Sequence, residues 1–222
     1  QPGFVKLFGA LTTGPASAIL PVLGALRAGT LVLVAALAAS IYLFVASVWG
    51  RAEALASVGA LLTMPRVFAH SHLFALDAPV MATTFITLHL LFLTARDRSW
   101  AWAALAGAMW GIALGCKVNA LFVPIIALPW LLLCARDAVL PALVCGATLG
   151  PAIFFAAWPW LWHDTWARLL EYLRFHAHHW QIDVTYFGRK YTVAPWHNPI
   201  VMGAITMPPA TIAAAVLGAY RM

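Results

Sequence analysis

The segment AGTLVLVAALAASIYLFVASVW at residues 28–49 contains no charged side chain. A helix of roughly 20 mostly apolar residues can cross the hydrocarbon core of a bilayer, so this segment predicts a transmembrane helix. Similar segments predict further spans at residues 52–69, 77–95, 100–116, 118–135, 139–161 and 200–220. The sequence therefore predicts an all-α fold, a polytopic transmembrane helical bundle of about seven spans.

The composition also indicates a membrane-embedded chain. Apolar residues make up 64% of the 222 residues and charged residues only 9%, whereas a soluble domain carries about 25% charged residues. The net charge of +6 comes from bases scattered between apolar segments, which favours an anionic lipid or phosphate partner over nucleic acid. Three cysteines inside apolar segments are predicted to be buried hydrophobic side chains rather than a disulfide or metal set: Cys116, Cys134 and Cys145.

The distribution of arginine predicts the orientation of the bundle. Short arginine-containing links between spans are typical of the cytoplasmic side, and here they contain Arg51, Arg96, Arg98 and Arg136, with Arg221 after the last span. The opposite side holds the turn at 70–77, Lys117 and the long loop 162–199. We therefore expect the chemistry on the non-cytoplasmic face.

Two amphipathic segments, residues 1–20 and 165–180, predict interfacial helices that lie on the membrane surface. The second belongs to the outer-face loop 162–199. Residues 1–222 form a single predicted transmembrane domain. Because Gln1 stands in mid-motif and Met222 in an apolar run, we expect a fragment that is truncated at both ends.

Two features inside the spans predict helix packing. Gly107, Gly111 and Gly115 recur every four residues, and such a stripe lets a neighbouring helix approach closely. His89 lies inside an apolar segment, where a hydrogen bond to another helix is the expected use of its ring.

Asp77 is the main candidate for a functional residue, because an ionisable group at the edge of a span is costly and therefore informative. Pro79 suits the first turn of a helix, so one interpretation of Asp77 is a helix cap. The other is a carboxylate at the mouth of a cavity, orienting a substrate hydroxyl or a nearby base. His70 and His72 stand two positions apart in the preceding turn, and either can face the same cavity.

Lys117 is the second candidate. It follows the glycine stripe in a tight outer turn between two predicted spans. One interpretation is a lysine that extends its ammonium group to the lipid headgroups. The other is a positive charge that neutralises a phosphate at the membrane surface.

The outer-face loop is the third candidate, since it holds five of the eight histidines. A His-x-His-His cluster at residues 176–179 is compatible with zinc binding, but no cysteine and few carboxylates accompany it. An aromatic and basic lid over an amphiphilic anionic substrate fits the loop better. The predicted substrate-contacting residues of this lid are His163, Asp164, Tyr186, Trp196 and His197.

Four motifs in consistent order resemble a known family. They are QPGFVKL at 1–7, residues 65–79 with AHSH and LDAP, GCKVNA at 115–120, and PWHNP at 195–199. Together they resemble the N-terminal membrane region of the protein mannosyltransferase-like branch (dolichyl-phosphate-mannose-protein mannosyltransferases) of the GT-C superfamily of glycosyltransferases. Gln1 stands where that family usually has His, and His72 where many members have Arg.

The resemblance implies roles for several residues. Asp77 corresponds to the acidic residue of the second outer loop and, with His72, is the expected catalytic pair. The donor phosphate is expected to contact Lys117, His72, His70 and Lys6. The family's principal acidic base lies in the first outer loop, so it is expected upstream of Gln1 and outside this chain.

The leading hypothesis is a glycosyltransferase that moves a sugar, mannose in some relatives, from a polyprenyl-phosphate carrier to a protein, lipid or other hydroxyl acceptor. A transporter or lipid flippase that binds an amphiphilic anion without chemistry is the alternative. The expected partners are the polyprenyl-phosphate-linked sugar, membrane lipid and the acceptor, with no nucleic acid. The sequence identifies no particular cofactor, and a divalent metal is left open. We expect a multi-pass protein of the bacterial inner membrane or the endoplasmic reticulum membrane.

Overall fold

The structure is a computed structural model that describes residues 22–73, 75–178 and 183–221. Most of these residues are helical and one short segment forms a β-hairpin, in agreement with the predicted all-α bundle. The α-helices are α1 (Val22–Val48), α2 (Arg51–Thr63), α3 (Pro65–Ser71), α4 (Asp77–Asp97), α5 (Trp100–Cys116), α6 (Val123–Cys134), α7 (Val139–Ala157), α8 (Thr165–Ala177), α9 (Asn198–Thr206) and α10 (Pro209–Arg221). Short 3₁₀-helices precede α6 (Val118–Phe122), precede α7 (Arg136–Ala138) and follow α7 (Pro159–Trp162).

The described helices allow fewer membrane spans than the sequence predicts. Three of them are long and apolar enough to cross a bilayer: Arg27–Val48, Asp77–Asp97 and Arg136–Ala157. Two bent pairs, α2 with α3 and α9 with α10, raise the count to five if each pair is one span. The predicted count of about seven is therefore not confirmed.

Helix length and helix breaks explain this difference. Trp100–Cys116 and Val118–Cys134 are apolar but shorter helical segments, and 17 residues at 1.5 Å each span only about 25 Å. The predicted span 52–69 breaks at Met64, which is extended at ψ 121° before Pro65, as the residue before a proline tends to be. The pair α2 and α3 consequently bends by 71°.

Glycine allows α5 and α7 to pack in close contact. A methyl group on Gly111 would lie 2.6 Å from the carbonyl oxygen of Gly150, and one on Gly107 would overlap the carbonyl of Cys145. The predicted packing stripe is therefore confirmed at these two glycines. At Gly115 a methyl group would meet no atom within 4 Å, so the third glycine takes no part in the contact.

Helix α4 lies against both α1 and α5. His89 on α4 is 9% exposed, and its Nδ1 lies 2.7 Å from Ser40 Oγ on α1. The predicted hydrogen bond from His89 to another helix is therefore confirmed.

At the arginine-containing end of the bundle, an ion pair connects two of the short links between helices. Arg98, in the link between α4 and α5, places a guanidinium nitrogen 3.2 Å from an oxygen of Asp137, in the link between α6 and α7. This end lies at the opposite end of α4 from Asp77.

The loop after α7 contains α8 and the hairpin. Strands β1 (Val184–Tyr186) and β2 (Arg189–Tyr191) pair antiparallel, with Tyr186 opposite Arg189. Phe187 and Gly188 have positive φ values of 48° and 77°, which a two-residue hairpin turn of this kind requires. Helices α9 and α10 follow and are mostly exposed to their surroundings.

Candidate functional site

Asp77 does not cap its helix through its side chain. It is the first residue of α4, the helix N-cap is Leu76, and no side-chain capping hydrogen bond forms there. Both carboxylate oxygens of Asp77 instead point towards basic groups on other segments. The structure therefore does not support the interpretation of Asp77 as a helix cap.

Lys117 is the closest of these basic groups. Its Nζ donates a hydrogen bond to Asp77 Oδ1 at 2.7 Å, and the side chains of Lys117 and Asp77 are 41% and 49% exposed. The contact joins the start of α4 to the end of α5. An ion pair this exposed adds only about 0–1 kcal/mol to stability, so it leaves Lys117 accessible to an external anion.

The backbone around Lys117 is held on both sides. The Lys117 N–H donates to the carbonyl of Ala113 at 3.1 Å, and its own carbonyl accepts the Ala120 N–H at 3.1 Å. The indole N–H of Trp110 donates to the Ala120 carbonyl at 2.8 Å. Lys117 consequently occupies a fixed, extended junction between α5 and the following 3₁₀-helix.

His70 supplies the second basic group from the last turn of α3. Its Nδ1 lies 3.6 Å from Asp77 Oδ2, beyond hydrogen-bonding distance. This nitrogen is buried and has no hydrogen-bond partner among the described residues, although the side chain as a whole is 40% exposed. Asp77, Lys117 and His70 thus form a cluster, the Asp77 cluster, built from three separate segments at one end of the bundle.

His72 is directed elsewhere. Its Nδ1 lies 2.7 Å from the carbonyl oxygen of Phe68, and the two rings make a tilted contact at 44° with centroids 4.5 Å apart. Among the described residues, Asp77 contacts His70 rather than His72. The roles predicted for His72 in catalysis and phosphate binding stay predictions.

The Asp77 cluster combines a positive charge with an apolar space below it. A cavity of about 190 Å³ lies between α4, α5, α6 and α7, with Trp110 and Val123 in its wall. Thr87 is the one hydroxyl-bearing residue in the wall, and Thr87 Oγ1 donates to the carbonyl of Thr83 in its own helix. Trp110 precedes Lys117 by about two helical turns, or about 10 Å along the axis.

The residues predicted for the substrate lid fall into two groups. Tyr186 is buried, and its ring lies 5.6 Å from that of His197, which in turn lies 5.5 Å from Trp196. These three residues therefore meet within the loop. His163 and Asp164 lie instead just before α8, where Asp164 adopts a left-handed conformation with φ 51°.

The start of the loop packs on the end of α7 through aromatic rings. Trp158 lies edge-on to Tyr172 at 5.0 Å and beside Trp160 at 5.4 Å. Arg168 stacks over Trp160 at 5.3 Å and donates to its carbonyl oxygen. Burial raises the pKa of the Tyr172 phenol above its ordinary value.

Two further predictions concern metal binding and the N-terminal segment. Within residues 22–73, 75–178 and 183–221, no group of three or more His, Cys, Asp or Glu side chains is arranged to hold a metal ion. Lys6 and the interfacial helix predicted at residues 1–20 lie outside the described residues. So does His179, part of the histidine cluster.

Trp110 is a supporting residue that the sequence patterns did not identify. Its indole N–H fixes the position of Ala120 and thereby the turn that carries Lys117. A signal was present, because a tryptophan in the middle of an apolar span needs an acceptor for its N–H group.

Residues 22–162, well over half of the 222, match the family described as dolichyl-phosphate-mannose-protein mannosyltransferase. The matched range includes all three residues of the Asp77 cluster. Neither the curated proteins nor the solved structures contain a match to the chain. The extent of the family match, together with the apolar helical bundle, shows that the chain belongs to the dolichyl-phosphate-mannose-protein mannosyltransferase family.

Proposed function

We propose that this chain is part of a membrane glycosyltransferase that transfers a sugar, mannose in the simplest case, from a polyprenyl-phosphate carrier to a hydroxyl group of a protein or lipid acceptor. The family supports a membrane glycosyltransferase of the mannosyltransferase type. The observation that carries the finer proposal is the Lys117–Asp77 contact of 2.7 Å, exposed at one end of an apolar bundle.

The reaction needs positive charge at the leaving group. The acceptor oxygen bonds to the anomeric carbon, the bond from that carbon to the phosphate oxygen breaks, and a base takes the hydroxyl proton. The carrier phosphate thereby changes from a diester with one negative charge to a monoester that gains a second. A preorganised cation stabilises such developing charge in the transition state, and Lys117 is the cation available in the Asp77 cluster.

Asp77 acts on Lys117 in this proposal, not on the sugar. One of its oxygens holds the Lys117 ammonium group, and the other faces His70 at 3.6 Å. This arrangement supports a positioning role: Asp77 keeps Lys117 and His70 side by side until the phosphate arrives. The base that takes the hydroxyl proton is not assigned to the Asp77 cluster.

The apolar cavity below the cluster supports a lipid-linked donor. The polyprenyl tail stays in the hydrocarbon region while the phosphate stays at its surface, so a donor site needs an apolar space next to a cation. Trp110, in the wall of the cavity of about 190 Å³ between α4 and α7, precedes Lys117 by about two helical turns.

The test is sugar transfer by the full-length protein in proteoliposomes, with a radiolabelled polyprenyl-phosphate mannose donor and a peptide acceptor. We expect Lys117→Ala to lower the turnover rate by roughly 10²–10³-fold, as the loss of one transition-state charge contact does. Asp77→Asn should have a smaller effect that appears chiefly in KM for the donor. Lys117→Arg, which keeps the charge, should recover part of the lost activity.

Asp137→Asn is the matched control, because Asp137 also forms an exposed ion pair between helix links, with Arg98 at the opposite end of α4. The Asp137→Asn variant should transfer sugar at the same rate as the unsubstituted protein. Full activity in both Asp77→Asn and Lys117→Ala would refute the site. Binding or translocation of the carrier without any transfer by the unsubstituted protein would favour a transporter or flippase.

A further inference from the structure

Helix α8 has one face that packs on the rest of the protein. Arg168 and Tyr172 lie one turn apart on this face and contact Trp160 and Trp158, respectively. Both are only partly exposed, as are Thr165, Leu169 and His176, which share the face. This face is therefore already occupied.

A second face of α8 is apolar and exposed. Trp166, Leu170 and Leu173 are 78%, 50% and 44% exposed. Their spacing of four and then three residues puts them on one stripe of the helix. Three large apolar side chains on one stripe are costly to leave in water, so this stripe needs a partner.

The third face is polar and exposed. Glu171 and Arg174 lie on it within α8, and His178 follows directly after the helix. A helix with an apolar stripe beside a charged stripe is the form that binds in the plane of a membrane surface.

The connection to α7 keeps α8 close to the end of a candidate membrane span. That span ends at Ala157, and the indole N–H of Trp162 reaches back to the Phe155 carbonyl at 2.8 Å. Thr165 Oγ1 donates to the Leu161 carbonyl at 2.7 Å. The start of α8 is thus folded against the membrane end of α7, where Trp158, Trp160 and Trp162 are of the residue type enriched at headgroup level.

We infer that α8 lies on the bilayer surface at the same end of the bundle as the Asp77 cluster, with Trp166, Leu170 and Leu173 inserted between phospholipid chains. The charged stripe then faces the headgroups and water, where Arg174 can reach a lipid phosphate. A transporter with the same loop would hold α8 in the same way. The position of α8 is therefore independent of the proposed sugar transfer.

Site-directed spin labelling of the full-length protein in phospholipid vesicles tests this position. In a background with Cys116→Ser, Cys134→Ser and Cys145→Ala, a nitroxide is attached to Leu170→Cys or to Leu173→Cys. The matched control is Glu171→Cys, one residue away on the polar stripe. We expect the labels at 170 and 173 to be relaxed severalfold more by oxygen, which concentrates in lipid, than by a water-soluble nickel chelate, and the label at 171 to show the reverse.

Two results would overturn the inference. Nickel-chelate access at 170, 173 and 171 alike would place the whole helix in water. Protection of 170 and 173 from both reagents would mean that protein, such as a second copy of the chain, covers the stripe. If the cysteine-free protein does not fold, the unsubstituted protein can be labelled with a carbene-generating phospholipid instead. We expect this reagent to label Trp166 and Leu170 but not Glu171. Absence of Trp166 and Leu170 from the labelled peptides would contradict the insertion.

Discussion

The Ser40–His89 pair shows how single residues fix two helices of the bundle. Both side chains are buried, at 8% and 9% exposure, and they meet at 2.7 Å. The ring of Phe44 packs edge-on against His89 with centroids 5.7 Å apart. In such apolar surroundings each polar group depends on the other for its hydrogen bond, so the pair specifies how α1 lies against α4.

We expect Ser40→Ala to lower the free energy of unfolding by about 0.6 kcal/mol and by at most about 1.7 kcal/mol, the range of hydrogen bonds between transmembrane helices. The measurement is unfolding by a denaturing detergent in micelles, with a double-mutant cycle that includes His89→Ala. Ser47→Ala is the control, because Ser47 Oγ donates to the Phe44 carbonyl of its own helix. Equal losses in Ser40→Ala and Ser47→Ala would mean that the pair does not join the helices.

At the residue scale, the sequence predicted one site with Asp77, His72, His70 and Lys117, in which His72 was the catalytic partner of Asp77. That prediction depends on topology, since antiparallel neighbouring helices bring the start of one next to the end of the other. The sequence favoured His72 as the neighbour of Asp77, whereas the structure places His70 there. Residues two apart on a helical turn point in different directions, and only the exact end of α3 at Ser71 decides which ring faces Asp77.

Among the described residues, the closest helix contact that involves glycine is the one between α5 and α7. Gly111 faces the Gly150 carbonyl, and Gly150 itself faces the ring of Trp110, which a methyl group would approach to 2.5 Å. Glycine on both helices therefore permits the contact. The same Trp110 supports the turn of Lys117 through its N–H, so this packing also positions the candidate site.

Gly111→Ala should destabilise the protein by about 1–3 kcal/mol, the usual cost of overpacking a close contact. Gly115→Ala should be neutral or slightly stabilising, because it meets open space and alanine favours a helix over glycine by roughly 0.5–1 kcal/mol. Thermal unfolding in one detergent compares the two variants on the same helix. A cost at Gly115 equal to that at Gly111 would contradict the difference in packing between the two positions, since both substitutions add one methyl group.

At the element scale, the sequence predicted apolar segments well and continuous spans less well. Hydropathy counts apolar residues, but it does not register where the helix breaks. Pro65 divides one predicted span into α2 and α3, and the 3₁₀-helix Val118–Phe122 shortens α6 within another. Helix α8 was predicted at residues 165–180 and is observed at Thr165–Ala177, because its amphipathic periodicity is strong and local.

For the whole molecule, the two ends of the bundle differ in what they expose. One end holds the Asp77 cluster, the aromatic start of the outer loop and α8. The other end holds arginines in short links, tied by the Arg98–Asp137 ion pair. Since arginine in short links is typical of the cytoplasmic side, the distribution of charge predicts that the Asp77 cluster faces away from the cytoplasm.

Cysteine accessibility in intact cells tests this orientation. In the cysteine-free background, Asn119→Cys lies next to the Lys117 turn and Asp137→Cys lies at the opposite end, and both positions are exposed. A membrane-impermeant maleimide added from outside should label position 119 directly and position 137 only after the membrane is permeabilised. The reverse pattern would put the Asp77 cluster in the cytoplasm, and the donor phosphate would then have to be bound there. Direct labelling of both positions would contradict this orientation, because the Asp77 cluster and the Arg98–Asp137 ion pair lie at opposite ends of α4, a candidate span.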